Sequence, residues 1–199
     1  MTHGFTEIGS LAVAAIFVQN LVLVWMLASD TFFSALKSPV SGLRFGVTAT
    51  VGTTLASALG WVLGHFVLSR PGLSFLAPFA FAFAVALLDV AAELVIRKFF
   101  TARKRELSRL VQAAAFNCVI LGLVLINAQN TARGILGTMF YGFCAGLGFL
   151  LALFTAANAM ERVRYSTPPK AFQGLPIALV TTGLISLAFM GFSGIQIPY

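Results

Sequence analysis

Residues 115–122 read AFNCVILG, an asparagine and a cysteine side by side inside an apolar run. A thiol in such a place is apolar filler, half of a disulfide, or a soft ligand for a metal. The chain has two cysteines, and the other, Cys144, lies within Gly142-Phe-Cys-Ala-Gly146, a small-xxx-small pattern that reads as a packing face holding a small buried thiol. A Cys118–Cys144 bridge would need closely matched Cα positions on two separate helices, which the sequence does nothing to suggest. Carboxylates form the second group: Asp89 and Glu93 share one helix face, with Arg97 a further turn on. Glu93 and Arg97 can pair, whereas Asp89 lies about 12 Å deeper than Arg97 along a helix axis. An acid at such depth is either part of a salt-bridged cluster or the wall of a cation path. His3 and His65 match no metal-ligand spacing, and no Walker motif, GxGxxG or nucleophile elbow is present.

The elements that position these residues follow from composition. Hydrophobic residues make up 59% of the chain, charged ones 10%, and the mean hydropathy is +0.94. That balance describes an all-α integral membrane protein rather than a soluble domain. Apolar stretches run over Leu11–Ala28, Leu43–Leu68, Leu73–Ile96, Leu110–Ala128, Ile135–Asn158 and Leu175–Ile195. Each is continuously apolar rather than alternating, so six transmembrane helices are expected and a barrel is not. The 199 residues leave no room for a separate extramembrane domain, so a single polytopic membrane domain over 1–199 is expected. No Lys or Arg occurs in the first ten residues, which reads against a cleaved signal peptide and for a retained first helix.

Charge sets the expected orientation. Lys37, Arg44, Arg97, Lys98, Arg103, Lys104, Arg105, Arg109, Arg162, Arg164 and Lys170 fall after the first, third and fifth stretches, against Arg70 and Arg133 on the opposite side. Basic loops stay cytoplasmic, which puts both termini on the outer, periplasmic face. The net charge of +7 concentrates in RKFFTARKRELSR beside a helix end, where anionic lipid headgroups are the expected partner and nucleic acid is not.

The two halves of the chain share a short pattern. Val18-Gln19-Asn20-Leu21-Val22-Leu23 resembles Phe116-Asn117-Cys118-Val119-Ile120-Leu121 when the asparagines are superposed. Three helices per half is an odd number, so related halves, 11–96 and 110–195, would be inverted three-helix repeats with a functional site on discontinuous helices at the midplane. Asn20 falls where the first helix could break. The alternative is that Gln19, Asn20 and Asn117 bond neighbouring helices, as polar side chains in bundles do.

The last stretch, Ile177-Ala-Leu-Val-Thr-Thr-Gly-Leu-Ile-Ser-Leu-Ala-Phe-Met-Gly-Phe-Ser-Gly194, is similar to the C-terminal signature of the Rnf/Nqr six-helix membrane subunit family. Phe17-Val-Gln-Asn-Leu-Val-Leu23, Ala92-Glu-Leu-Val-Ile-Arg-Lys98, Asn117-Cys-Val-Ile-Leu-Gly122, Tyr141-Gly-Phe143 and Glu161-Arg-Val-Arg-Tyr-Ser166 extend the likeness over nearly the whole chain. It resembles most the branch containing the A subunit of the Rnf complex and the E subunit of the Na+-translocating NADH:quinone reductase.

The resemblance implies a bacterial or archaeal inner-membrane protein paired, through a pseudo-two-fold axis, with a sister six-helix subunit. The pair would hold one [2Fe-2S] cluster in the membrane, alongside flavin- and iron-sulfur-carrying subunits, and would relay electrons with coupled Na+ or H+ movement. Such a chain is non-catalytic alone and works as part of a translocase. In this family each subunit supplies one cysteine from helix one and one from helix four. Cys118 coincides with the helix-four ligand, while Asp30 stands where the helix-one cysteine belongs. Either the Asp30 carboxylate replaces the thiolate, or the chain is a clusterless relative, a scaffold or small ion or solute transporter with Asn20, Asn117, Asp89 and Glu93 along a polar path. The resemblance also implies a break before Cys118, but the alanine run in Leu110-Val-Gln-Ala-Ala-Ala-Phe116 favours a less interrupted helix four.

Overall fold

The computed structural model describes residues 9–27, 32, 33, 36, 39–66, 74–99, 104–115, 117–129, 134–166 and 169–192. Among these the regular elements are helices and no strand occurs: α1 Gly9–Val18, α2 Pro39–Phe66, α3 Ala77–Phe99, α4 Lys104–Ala115, α5 Cys118–Gln129, α6 Ile135–Tyr165 and α7 Leu175–Met190. Three contain windows long and apolar enough to cross a membrane, at Val40–Phe66, Ala77–Ile96 and Ile135–Val163. A fourth candidate is a broken span, Ser108–Ala114 followed by Cys118–Ala128, whose arms meet at 46°. The first and last helices, α1 and α7, are apolar but shorter than a full crossing. The chain is thus a helical membrane protein with three or four candidate spans among the described residues.

By its contacts the chain divides into two compact units, Thr48–Phe143 and the combination of Met1–Val47 with Cys144–Tyr199. In the unit over 48–143, α2, α3 and α5 meet in a core of Ala56, Phe81, Ile120 and Val124. Glycines on α2 permit this packing: a Cβ at Gly60 would lie 2.7 Å from Val124 Cγ1, and one at Gly52 would lie 3.0 Å from Ile120 Cδ1. Gly142 is closed in the same way by the Ser57 side chain. Close approach of this kind is how helices associate where water gives no hydrophobic drive between them. The amphipathic α4, KRELSRLVQAAA, packs along α3.

The other unit is built around the end of α1. Gly148 on α6 lies against the backbone of Ala15 and Ile16, and a Cβ there would sit 3.0 Å from the Ile16 carbonyl oxygen. Phe45 and Phe149 pack 5.8 Å apart, and Phe17 packs with Phe189 and Phe192. Gly174, at φ +90°, turns the chain into α7, which starts with a proline in its first turn.

Candidate functional site

Both asparagines singled out by the repeat stand at helix breaks. The last turn of α1, Ala14–Val18, widens to a π-turn closed by Gln19 N–H donating to the Ala14 carbonyl at 2.7 Å, and the helix stops. Asn20 is fully buried and satisfies the exposed ends itself. Its Nδ2 donates to the carbonyls of Ile16 (3.0 Å) and Gly148 (2.9 Å), and its Oδ1 accepts from the N–H groups of Val22 and Leu23, each at 3.1 Å. No other residue type of this size offers two donors and an acceptor for two N–H groups. The chain continues as turns through Trp25, with Ser186 Oγ donating to the Leu23 carbonyl.

The second break lies between α4 and α5. Asn117 N–H donates to the Ala114 carbonyl (3.2 Å), while Asn117 Oδ1 accepts from Val119 N–H (3.0 Å). That places Asn117 as the N-cap of α5 and Cys118 as its first residue. The alanine run therefore does not carry helix four through, contrary to the expectation from propensity. An Asn side chain that binds the N–H two residues on starts a new helix in competition with continuing the old one.

Asp89, Asn117 and Cys118 line one open pocket of about 340 Å3, completed by Ala82, Val85, Ala86 and Leu121. Cys118 is exposed at the chain surface, Cys144 is 3% exposed, and neither is in a disulfide. Cys118 thus stands at the helix end where the dipole of α5 is positive. Asp89 is 6% exposed, and its Oδ1 has no hydrogen-bond partner. Glu93, one turn along, accepts a long 3.5 Å hydrogen bond from Ser108 Oγ on α4. The salt-bridge reading of this face needs the Arg97 side chain, which lies outside the described residues.

Asp30 and His3 also lie outside the described residues, and His65 stacks on Trp61 at 4.9 Å. Among the described residues, no three His, Cys, Asp or Glu side chains gather into a metal-holding group. Cys118 and Asp89, both lining this pocket, are nevertheless of residue types that ligate metal ions. The sequence reading missed the companionship of Asp89 and Cys118, because they come together only when α3 packs on α5. It also missed a buried polar pair, Asn127 Nδ2 donating to Ser57 Oγ at 3.1 Å, in which Asn127 Oδ1 has no donor.

Comparison with known proteins agrees with the resemblance. The family described as "Rnf-Nqr subunit, membrane protein" matches residues 8–196. The A subunit of the Na(+)-translocating ferredoxin:NAD(+) oxidoreductase complex of Acetobacterium woodii is 37% identical over 185 residues, covering 93% of this chain and 96% of that protein. The A subunit of the ion-translocating oxidoreductase complex of Yersinia enterocolitica is 36% identical over 190 residues (96% and 98%). Its namesake in Pseudomonas paraeruginosa is 34% identical over 193 residues (97% and 100%). With a family match over almost its whole length and full-length relatives above 30% identity, the chain belongs to the Rnf-Nqr membrane subunit family.

Proposed function

We propose that this chain is the A-type membrane subunit of an Rnf-type ion-translocating oxidoreductase complex, in which it carries one side of an intramembrane electron relay. Its relatives' names supply the complex. The observation that carries the relay is the placing of Cys118: exposed, first residue of a helix that begins at a midchain break, on the rim of an open pocket. A packing thiol has no need of such a position, and Cys144 shows the contrast by being buried.

A [2Fe-2S] cluster, when bound, would supply one-electron redox chemistry between a cytoplasmic donor and an outer acceptor. Cys118 would give one thiolate, and Asp30, in the place of the helix-one cysteine, is the second donor that the resemblance offers. The N-terminus of α5 would offset negative charge at the site. Asn117 orients Cys118 by holding the helix start, and Asn20 holds the matching break in the first half. The same local device at two equivalent asparagines supports two inverted three-helix repeats, with α1 and α7 completing six helices. On this reading both termini face outward, the complex sits in the inner membrane, and a sister six-helix subunit covers the exposed side of Cys118. Further flavin- and iron-sulfur-carrying subunits complete the chain of carriers, and lipid headgroups meet the basic segment.

Coupled Na+ or H+ movement belongs to the same proposal. A second reading, a clusterless scaffold or transporter on this fold with Asn20, Asn117, Asp89 and Glu93 along a polar path, is favoured by Asp89 alone, whose buried acceptor oxygen suits a cation. Iron and acid-labile sulfide of the anaerobically purified complex, compared with those of its Cys118→Ala form, separate the two. The relay predicts that an assembled Cys118→Ala complex loses the iron and sulfide of one [2Fe-2S] cluster, and an unchanged content moves the function to the second reading.

A further inference from the structure

We propose that the second protein ligand this chain gives to the metal centre is Asp89 rather than Asp30, an inference that rests on the relay reading above. A [2Fe-2S] centre shared with a sister chain would take two protein donors from this one, so Cys118 leaves one position to fill. Among the described residues, Asp89 is the carboxylate that lines the Cys118 pocket.

Three observations carry the assignment. The first is the state of the carboxylate: only 6% of Asp89 is exposed, and its Oδ1 meets no donor. A carboxylate oxygen in a membrane span without a donor is strongly disfavoured, and a metal cation is the partner that satisfies it. The second is the neighbouring acid. Glu93 reaches the Ser108 hydroxyl on α4, so the two acids of this face have different surroundings, and Asp89 is the one in the pocket. The third is room. The pocket's volume of about 340 Å3 is that of roughly ten water molecules, and the small side chains of Ala82 and Ala86 leave its wall open. Openness at the chain surface lets a second chain bring the remaining ligands.

The chemistry is consistent with a mixed donor set, since nitrogen donors already replace thiolates at some two-iron centres. A hard oxygen donor favours the oxidised iron, so the centre should have a lower potential than an all-thiolate one.

The test uses the whole complex, purified anaerobically with its membrane partners, in four forms: unaltered, Asp89→Asn, Asp89→Cys and Asp30→Asn. Iron content and the low-temperature EPR spectrum after dithionite reduction are read on each, with subunit composition as the check on assembly. Asp89→Asn is expected to lower the intensity of the [2Fe-2S] signal several-fold or to change its g values in an assembled complex. Asp89→Cys is expected to keep the iron and raise the midpoint potential, and Asp30→Asn to leave the spectrum unchanged. An unaltered spectrum and iron content in Asp89→Asn, or a change confined to Asp30→Asn, overturns the assignment and leaves the relay standing. An unaltered complex without a [2Fe-2S] signal overturns the relay reading itself.

Discussion

Asn20 Nδ2 donates to the carbonyl oxygen of Gly148, 2.9 Å away and 128 residues along the chain. This bond ties the break after α1 to α6, and it forms at the point where Gly148 lets the two backbones meet. The break and its anchor are therefore one structural unit.

Replacing Asn20 with Leu removes partners from two carbonyls and two N–H groups in a buried site. Each unmet group costs about 1–3 kcal/mol, reduced by whatever relaxation finds new partners. Asn20→Leu should destabilise by about 2 kcal/mol or more, read as a lower midpoint of unfolding in detergent, whereas Asn20→Asp keeps the acceptor and should lose less.

The glycines divide into two groups. Gly148→Ala sets a methyl against the Ile16 backbone, which has no side chain to swing aside, and a penalty of about 1–3 kcal/mol is expected. Gly64, part of the Gly60-Trp-Val-Leu-Gly64 pattern, has nothing within 4 Å of an added Cβ, and Gly64→Ala should be neutral or slightly stabilising. Thermal melts of the two variants check the contrast, and equal effects would contradict the packing described.

Asn117→Ala extends the alanine run across the second break. Loss of the cap costs about 1 kcal/mol. The larger expected effect is on Cys118, which the cap positions: iron content should fall while the complex still assembles. Retention of full iron in Asn117→Ala would mean that the break does not set the thiol.

Much of the arrangement could be read from residue order, and the reasons differ by residue. Asn20 was legible as a break because an asparagine amid apolar residues must find hydrogen-bond partners for both its donors and its acceptor. The break at Asn117 was half legible: the repeat pointed to it, but the adjacent alanines argued for continuous helix, and the capping bond overrode their propensity. Six apolar stretches were plain in the hydropathy, yet hydropathy does not register where a backbone stops, and α1 ends at Val18 within a stretch that stays apolar to Ala28. Gly60 and Gly142 were legible as packing positions, and both lie against side chains. The neighbourhood of Asp89 and Cys118 was not legible, because only the packing of α3 on α5 brings positions that far apart in sequence to one pocket.

Orientation is tested separately. A single cysteine introduced beside Arg103, in a background with both native cysteines replaced, should react with an impermeant thiol reagent in inside-out vesicles and stay unreacted in intact cells. The reverse pattern would contradict the outward termini.

Everything proposed for the relay depends on Cys118 holding a redox centre. Low-temperature EPR of the dithionite-reduced complex, recorded for the unaltered protein beside Cys118→Ala and Cys144→Ala, tests this most directly. A [2Fe-2S] signal is expected in the unaltered protein and in Cys144→Ala, and none in Cys118→Ala despite an intact set of subunits. A Cys118→Ala complex with the full signal would contradict it.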